Sequence, residues 1–600
     1  MIKYINKILI SACINKPILV LFISLSMTAL ITSGIGYVQQ DDNMINLLPE
    51  EIGSRTIFQE IQDNYGKTEY MYVAIGNKNK NIFNRDDLDV IADLSTQFES
   101  LDIIDEVISI TNLDKISLDP TDSSIVIDNL FEFPILHDAQ IEQAIEYLNS
   151  NQTIKTRVVS KTNDYANIII IPEDNEHYVQ LSKVLHSIAE KYKEDYELSF
   201  GGQAYVTGAV PGMVQKEVKI LLLFGLLLMA IILLINLRNI KAVLLILFTI
   251  FSSLGSMLGF MGWIYHFTGS NDFYFTIMNT SMPIVLLTIA NSDGVHVLSR
   301  FFKEFRKYKD PKVAIENAMN HLFLPIFLTS VTTSAAFLML VFSPVSAMIG
   351  YGITIAFGIM WAWFLSNTAL PSLIILLKWN PNSKAVSQPN YIEKLMKLFG
   401  RLVTKNPKKV LSLGIGITLF AIIGLFFITV EVQYTKMFRK GNIIRDSAEF
   451  LDEHLMGNVN IILRVSSDAG PESLKTPNNL RDIEKIQTYL DSTKNVTSTI
   501  SVIDIVKQLH KTIMDEDKKY YTIPDSIQQI NNLFFLYEMN EESDLSSLIN
   551  YDADEGIIIA LMKTFSTIEV PGIVENINGF IDKNIYSSND DIKFELTGMM

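Results

Sequence analysis

At 600 residues, 48% hydrophobic and 19% charged, with mean hydropathy +0.24, the chain is too apolar for a soluble fold and too charged to lie wholly in lipid. A net charge of −17 excludes nucleic acid as a partner, because nothing here could neutralise a run of phosphates. The single cysteine, Cys13, excludes a disulfide framework and a cysteine-based metal site.

The apolar residues gather in seven blocks, each near the ~20 residues that cross a bilayer. They are Pro17–Val38, Ile220–Leu237, Ala242–Phe267, Phe275–Leu298, Leu322–Phe342, Val345–Leu377 and Val410–Val430. The first is longer than a signal-peptide core (about 7–15 residues) and no A-x-A cleavage site follows it, so it reads as an anchor. Lys3, Lys7 and Lys16 precede it, and Arg238 and Lys241 join spans two and three. Arg300, Lys303, Arg306, Lys307, Lys309 and Lys312 follow span four, and a basic group from Lys378 to Lys409 follows span six. The opposite connections, Thr268–Tyr274 and Ser343–Pro344, carry no Lys or Arg. The positive-inside rule then gives a cytoplasmic N terminus and two large outward regions.

The expected organisation is residues 1–38 as cytoplasmic N terminus and first span, 39–219 as an outward domain, and 220–378 as a five-span bundle. A cytoplasmic basic amphipathic linker (379–409), a seventh span (410–430) and a second outward domain (431–600) complete it. In the first outward domain Tyr70–Ile75, Asp86–Phe98 and Ile103–Ile110 read as strand, helix and strand, and Ala166–Pro172, Tyr178–Tyr192 and Tyr196–Gln203 repeat the order. In the second, Asn460–Val465, Leu480–Leu490 and Val496–Ile503 do the same, then Glu555–Lys563, Ile573–Ile581 and Ile592–Thr597. Paired β-α-β units joined by a helical insert predict two α+β domains of the split-βαβ, ferredoxin-like kind.

An internal repeat underlies this order. Tyr4-Ile5-Asn6-Lys7 resembles Tyr391-Ile392-Glu393-Lys394, and Asn15-Lys16-Pro17 resembles Lys405-Asn406-Pro407. Asn43-Met44 through Gly66 is echoed by Lys436-Met437 through Gly457, and Asp195–Gly202 aligns with Asp591–Gly598. Span two begins about 18 residues after Gly202, whereas the chain ends two residues after Gly598. The sequence is therefore expected to be the front part of a longer two-repeat protein or a truncated product, lacking its second bundle.

Only one acidic residue lies well inside a span. It is Asp293, in the stretch Thr288–Arg300, and a charged Asp at the bilayer centre costs at least ~2.5–3.5 kcal/mol. A carboxyl so placed is expensive to keep ionised, which suits a group that takes up and releases a proton. His296 and Arg300, three and seven residues on, are expected on its helical face, with Asn291 and Ser292 adding polarity. In span five Thr329, Thr332 and Thr333 form an i, i+3, i+4 hydroxyl stripe that could satisfy either protonation state of Asp293. The expected proton relay is Asp293, His296, Thr329, Thr332 and Thr333, with Asn291 and Ser292 in support.

Other features read more simply. Gly255 and Gly259 form a small-xxx-small pair for helix packing. Ile392, Leu395, Met396 and Phe399, with Lys394, Lys397 and Arg401 nearby, predict an amphipathic helix lying on the cytoplasmic lipid surface. Pro49 marks a turn into the outward domain. No GxxxxGK[ST], HExxH or paired-Cys motif is present, so no cofactor is expected and the chain does not read as an enzyme. Work would be drawn from an ion gradient, where one charge crossing 100 mV carries ~2.3 kcal/mol.

One span, an outward α+β domain, five spans and then a repeat resemble the resistance–nodulation–division (RND) superfamily. The closest likeness is to its MMPL branch of lipid and hydrophobe exporters. The residues that carry it are Asn46-Leu47-Leu48-Pro49-Glu50, Asp293…His296…Arg300 and Thr329…Thr332-Thr333…Phe337. Many relatives have Asp-Tyr or Asp-Asp in span four, where this chain has Asp293-Gly294. The resemblance implies a secondary transporter in the bacterial inner membrane, with a sterol-sensing-like bundle and porter-type outward domains. It implies proton-driven export of hydrophobic or lipid-like molecules, with a homo-oligomer (dimer or trimer) or a periplasmic adaptor as partner. The alternative on the same scaffold is a non-transporting lipid sensor or protein-secretion accessory.

Overall fold

The computed structural model describes residues 2–41, 44–47, 49, 51–66, 68–118, 125–135, 137–383, 386, 391–539, 545–564, 566–587, 589 and 591–598. Asn43, Leu48 and Glu50, which belong to the repeat and the family motif, lie outside these residues, as do the side chains of Ile392 and Lys394. Contacts divide the chain into two units, Met1–Pro49 with Pro211–Ile428 and Glu50–Val210 with Thr429–Met600.

In chain order the first half forms α1 (Ile2–Asn15), α2 (Pro17–Thr32), α3 (Gly53–Tyr65), β1 (Met71–Gly76), α4 (Arg85–Glu99) and β2 (Ile104–Ile108). A hairpin of β3 (Asp114–Leu118) and β4 (Ile125–Asn129) follows, then α5 (Asp138–Ser150), α6 (Gln152–Val158), β5 (Tyr165–Pro172), α7 (Tyr178–Ala189) and β6 (Glu197–Gly201). Next come α8 (Gln203–Leu237), α9 (Ile240–Thr268), α10 (Met282–Tyr308), α11 (Pro311–Leu338), α12 (Ser346–Asn367) and α13 (Ala369–Leu376). The second half has α14 (Tyr391–Lys405), α15 (Pro407–Leu425), α16 (Ile443–His454), β7 (Val459–Ser467), α17 (Pro477–Asp491) and β8 (Val496–Ile500). It ends with α18 (Val502–Ile513), α19 (Ile527–Glu538), β9 (Glu555–Met562), α20 (Val570–Ile581) and β10 (Ile592–Gly598).

Among the described residues seven helical stretches are long and apolar enough to cross a membrane, as expected of a polytopic membrane protein. They are Pro17–Tyr37, Gln203–Leu237, Ile240–Thr268, Ile277–Tyr308, Pro311–Phe342, Ser346–Leu376 and Pro407–Leu425. Hydropathy misplaces several ends. Helix α8 begins well before Ile220 and carries Pro211 inside it. Helix α10 runs past Leu298 to Tyr308, and α11 starts at Pro311 rather than Leu322. The reason is local: Asp310 accepts from the Lys312 N–H and Pro311 sits at the first helical turn, a start signal that apolar counting does not see.

Close packing in the first unit rests on glycine. A Cβ at Gly259 would lie 2.1 Å from the Ile31 carbonyl oxygen, and one at Gly255 would lie 3.1 Å from Thr32. The pair expected to pack helices therefore lets α2 and α9 touch backbone to backbone. The sixth span is not one helix, because Thr368, at φ −125° and ψ −70°, separates α12 from α13. Pro371 causes the break: it has no N–H to give the Asn367 carbonyl, four residues back. The thiol of buried Cys13, on α1, faces that carbonyl at 3.8 Å and the Thr368 carbonyl at 3.6 Å. From α2, Ser24 Oγ donates to Thr368 Oγ1 at 3.2 Å.

The second unit contains two four-stranded antiparallel sheets, ordered β2-β5-β1-β6 and β10-β7-β9-β8. The predicted strands are found within a few residues. One reading fails: Val496–Ile503 is not all strand, since Ser501 and Asp504 form a reciprocal capping box that starts α18 at Val502. The leading helix of each half packs on the last strand of the other, α3 on β10 and α16 on β6. Thr597 Oγ1 donates to the Ser54 carbonyl at 2.6 Å, and the Gly202 N–H donates to Asn458 Oδ1 at 2.5 Å. Arg464 on β7 joins Glu60 of α3 and Glu595 of β10, and Tyr165 packs edge-on against Phe450 at 4.8 Å.

Candidate functional site

Helix α10 packs against α9, α11 and α12. Its buried residues, including Met282, Leu286, Ala290, Asp293, Val297, Phe301 and Phe305, recur every three or four positions, so one face is covered. Asp293 falls on that face near the middle of the span Ile277–Tyr308 and is 7% exposed. A buried carboxyl requires a polar partner. Ser330 of α11 supplies one, its Oγ donating to Asp293 Oδ2 at 3.2 Å.

That hydroxyl is not one of the threonines singled out in the sequence. Thr329 and Thr332 are exposed and Thr333 is half-buried. Their hydroxyls donate to carbonyls of their own helix: Thr329 to Ile326 at 2.8 Å, Thr332 to Leu328 at 2.8 Å and Thr333 to Thr329 at 2.7 Å. The cause is one step of ~100° around the helix. The buried row of α11 runs through Ala314, Ala318, Phe323 and Ile326 and continues by fours to Ser330 and Ser334. Stepping by four from Ile326 would have found both serines. One turn beyond Ser330, Ser334 Oγ donates to the Ala356 carbonyl of α12 at 3.1 Å, so hydroxyls tie α11 to both neighbours.

The other polar residues of span four separate in the same way. Ser292 and His296 are exposed, outside the packed row that holds Asp293. Arg300 pairs with Glu304 at 2.9 Å rather than approaching the carboxyl. Asn291 is half-buried, and its Oδ1 has no protein hydrogen-bond partner. Gly294 lets α9 approach: a Cβ there would sit 3.1 Å from Ile246 Cγ1, so the Ile246 side chain would have to give by a few tenths of an ångström. Among the described residues no group of three or more His, Cys, Asp or Glu is placed to hold a metal.

The span holding Asp293 and the helix holding Ser330 both fall in a stretch, residues 85–410, that matches the model of the MMPL family. It covers more than half of the chain. The chain belongs to the MMPL family. No curated protein matches the sequence. Membership makes this a multi-pass membrane protein of a family of RND/MMPL-type transporters. Within this MMPL protein, the Asp293–Ser330 pair is a carboxyl and its donor buried between two membrane-crossing helices.

Proposed function

We propose that the protein is a secondary transporter, driven by the proton-motive force, that exports hydrophobic or lipid-like molecules from the bacterial inner membrane. Asp293 carries the proton. Ser330 replaces the threonine stripe as its hydroxyl partner, holding the carboxyl in either protonation state because a hydroxyl can donate or accept. The observation that carries this reading is a buried carboxyl near the middle of an apolar span, hydrogen-bonded to the next span. Ionisable groups so placed are costly and mark ion pathways by default.

The basic loops support a cytoplasmic N terminus and outward second-unit sheets. The order β2-β5-β1-β6, with its first and third strands in the centre, supports a ferredoxin-like, porter-type reading for each half. The test is transport in proteoliposomes carrying an imposed pH gradient, with fluorescent lipid analogues as cargo. Gradient-dependent movement that Asp293→Asn abolishes is the expected result. Movement unchanged in Asp293→Asn rules out the relay, and lipid binding without gradient-driven movement favours a sensor.

A further inference from the structure

Among the described side chains of helix α14, the apolar ones have no protein cover. Leu395, Met396, Leu398, Phe399, Leu402 and Val403 are all exposed. Its counterpart in the first half, α1, is docked, with Ile10 and Cys13 buried against α11 and α13. The joints after the two helices match closely. Lys16 before Pro17 has φ −134° and ψ 55°, and Asn406 before Pro407 has φ −132° and ψ 55°. Aligned on those prolines, the docked row Asn6–Ile10–Cys13 becomes Met396–Gly400–Val403, while the row Lys7–Ser11–Asn15 becomes Lys397–Arg401–Lys405. The second half has thus gained two cations on one edge of its apolar side. A glycine replaces the isoleucine that plugs α1 into the bundle.

From Leu395 to Lys409 the chain carries five basic residues and no acidic one, in a protein of net charge −17. An apolar face rimmed by cations at i, i+4 and i+8 fits an anionic lipid surface, with the stems lying along hydrocarbon and the charges reaching phosphates. The membrane span α15 begins two residues after α14 ends, which sets the helix at bilayer-surface depth. We propose that α14 is a binding surface for acidic phospholipid headgroups, with Lys397, Arg401 and Lys405 as the headgroup contacts. The choice of leaflet rests on the cytoplasmic placement of this linker; the lipid selectivity does not.

The test is hydrogen–deuterium exchange over residues 395–405 of the full chain in nanodiscs of phosphatidylcholine, with and without phosphatidylglycerol. Slower exchange in the anionic discs, reversed by high salt, is expected. Each of Lys397→Gln, Arg401→Gln and Lys405→Gln should cut that protection about fivefold, with exchange in α10 unchanged. Equal protection in both lipids overturns the proposal. Protection indifferent to lipid and charge but lost in Gly400→Leu also overturns it, in favour of a docked helix. Neither readout depends on transport.

Discussion

The carboxyl of Asp293 keeps its one hydrogen-bonded hydroxyl through a single side chain, Ser330, so the two should be coupled in function. Ser330→Ala leaves a buried polar group short of a partner and is expected to slow gradient-driven transport roughly tenfold, about 1.4 kcal/mol of barrier. Thr332→Val, two residues on and about 200° around the helix from Ser330, should stay within about twofold of wild type in the same assay. Asp293 was legible in the sequence because an acid in an apolar run is costly to keep and stands out against every neighbour. Its partner was not, since a threonine stripe and a serine row lie side by side on α11 and composition favours the threonines. Only the packing of α10 decides which hydroxyls turn inward.

A second acid, outside the membrane-spanning segments, makes a pH prediction. Asp452 on α16 accepts the Thr564 N–H at 3.1 Å on both oxygens. Burial pushes its carboxyl up to about 6, with Glu449 adding to the rise against the pull of Thr564 and Lys563. An unfolded Asp titrates near ~3.9, so the folded chain binds this proton more tightly. Stability from this site is complete below about pH 4 and is lost as pH rises through about 6. Asp452→Asn should stabilise the protein by roughly 3 kcal/mol above that window and hardly at all below it, read from thermal melts in detergent at the two extremes.

Among the elements, the broken sixth span shows how one residue shapes several helices. Pro371 was visible in the sequence, yet hydropathy marks Val345–Leu377 as one unbroken apolar block, because it is blind to a missing N–H. Pro371→Ala restores the donor to the Asn367 carbonyl and should straighten α12 into α13. That would take α13 away from Ser24 and Cys13, so maleimide labelling of Cys13, buried in the native chain, is expected to accelerate. Strands were read more reliably than helix ends. A run such as Met71–Gly76, buried throughout, announces itself by content, whereas helix starts depend on caps such as Asp310 and Ser501.

Across the molecule, the two four-stranded sheets share one strand order, and the joints before Pro17 and Pro407 have like backbone angles. The crossing of α3 and α16 between the halves of the second unit was not legible. Both helices are amphipathic in isolation, and nothing local says which sheet completes them. Arg464 ties the crossing electrostatically, itself mostly buried between two half-exposed carboxylates. Arg464→Met should lower the melting temperature of the full chain by a few degrees, corresponding to about 1–2 kcal/mol once solvent screening of the glutamates is allowed for.

Helices traded in this manner leave neither half whole. Each edge strand is finished by material encoded hundreds of residues away, so an excised half would present an uncovered sheet surface and would have to recruit α3 or α16 from a second molecule.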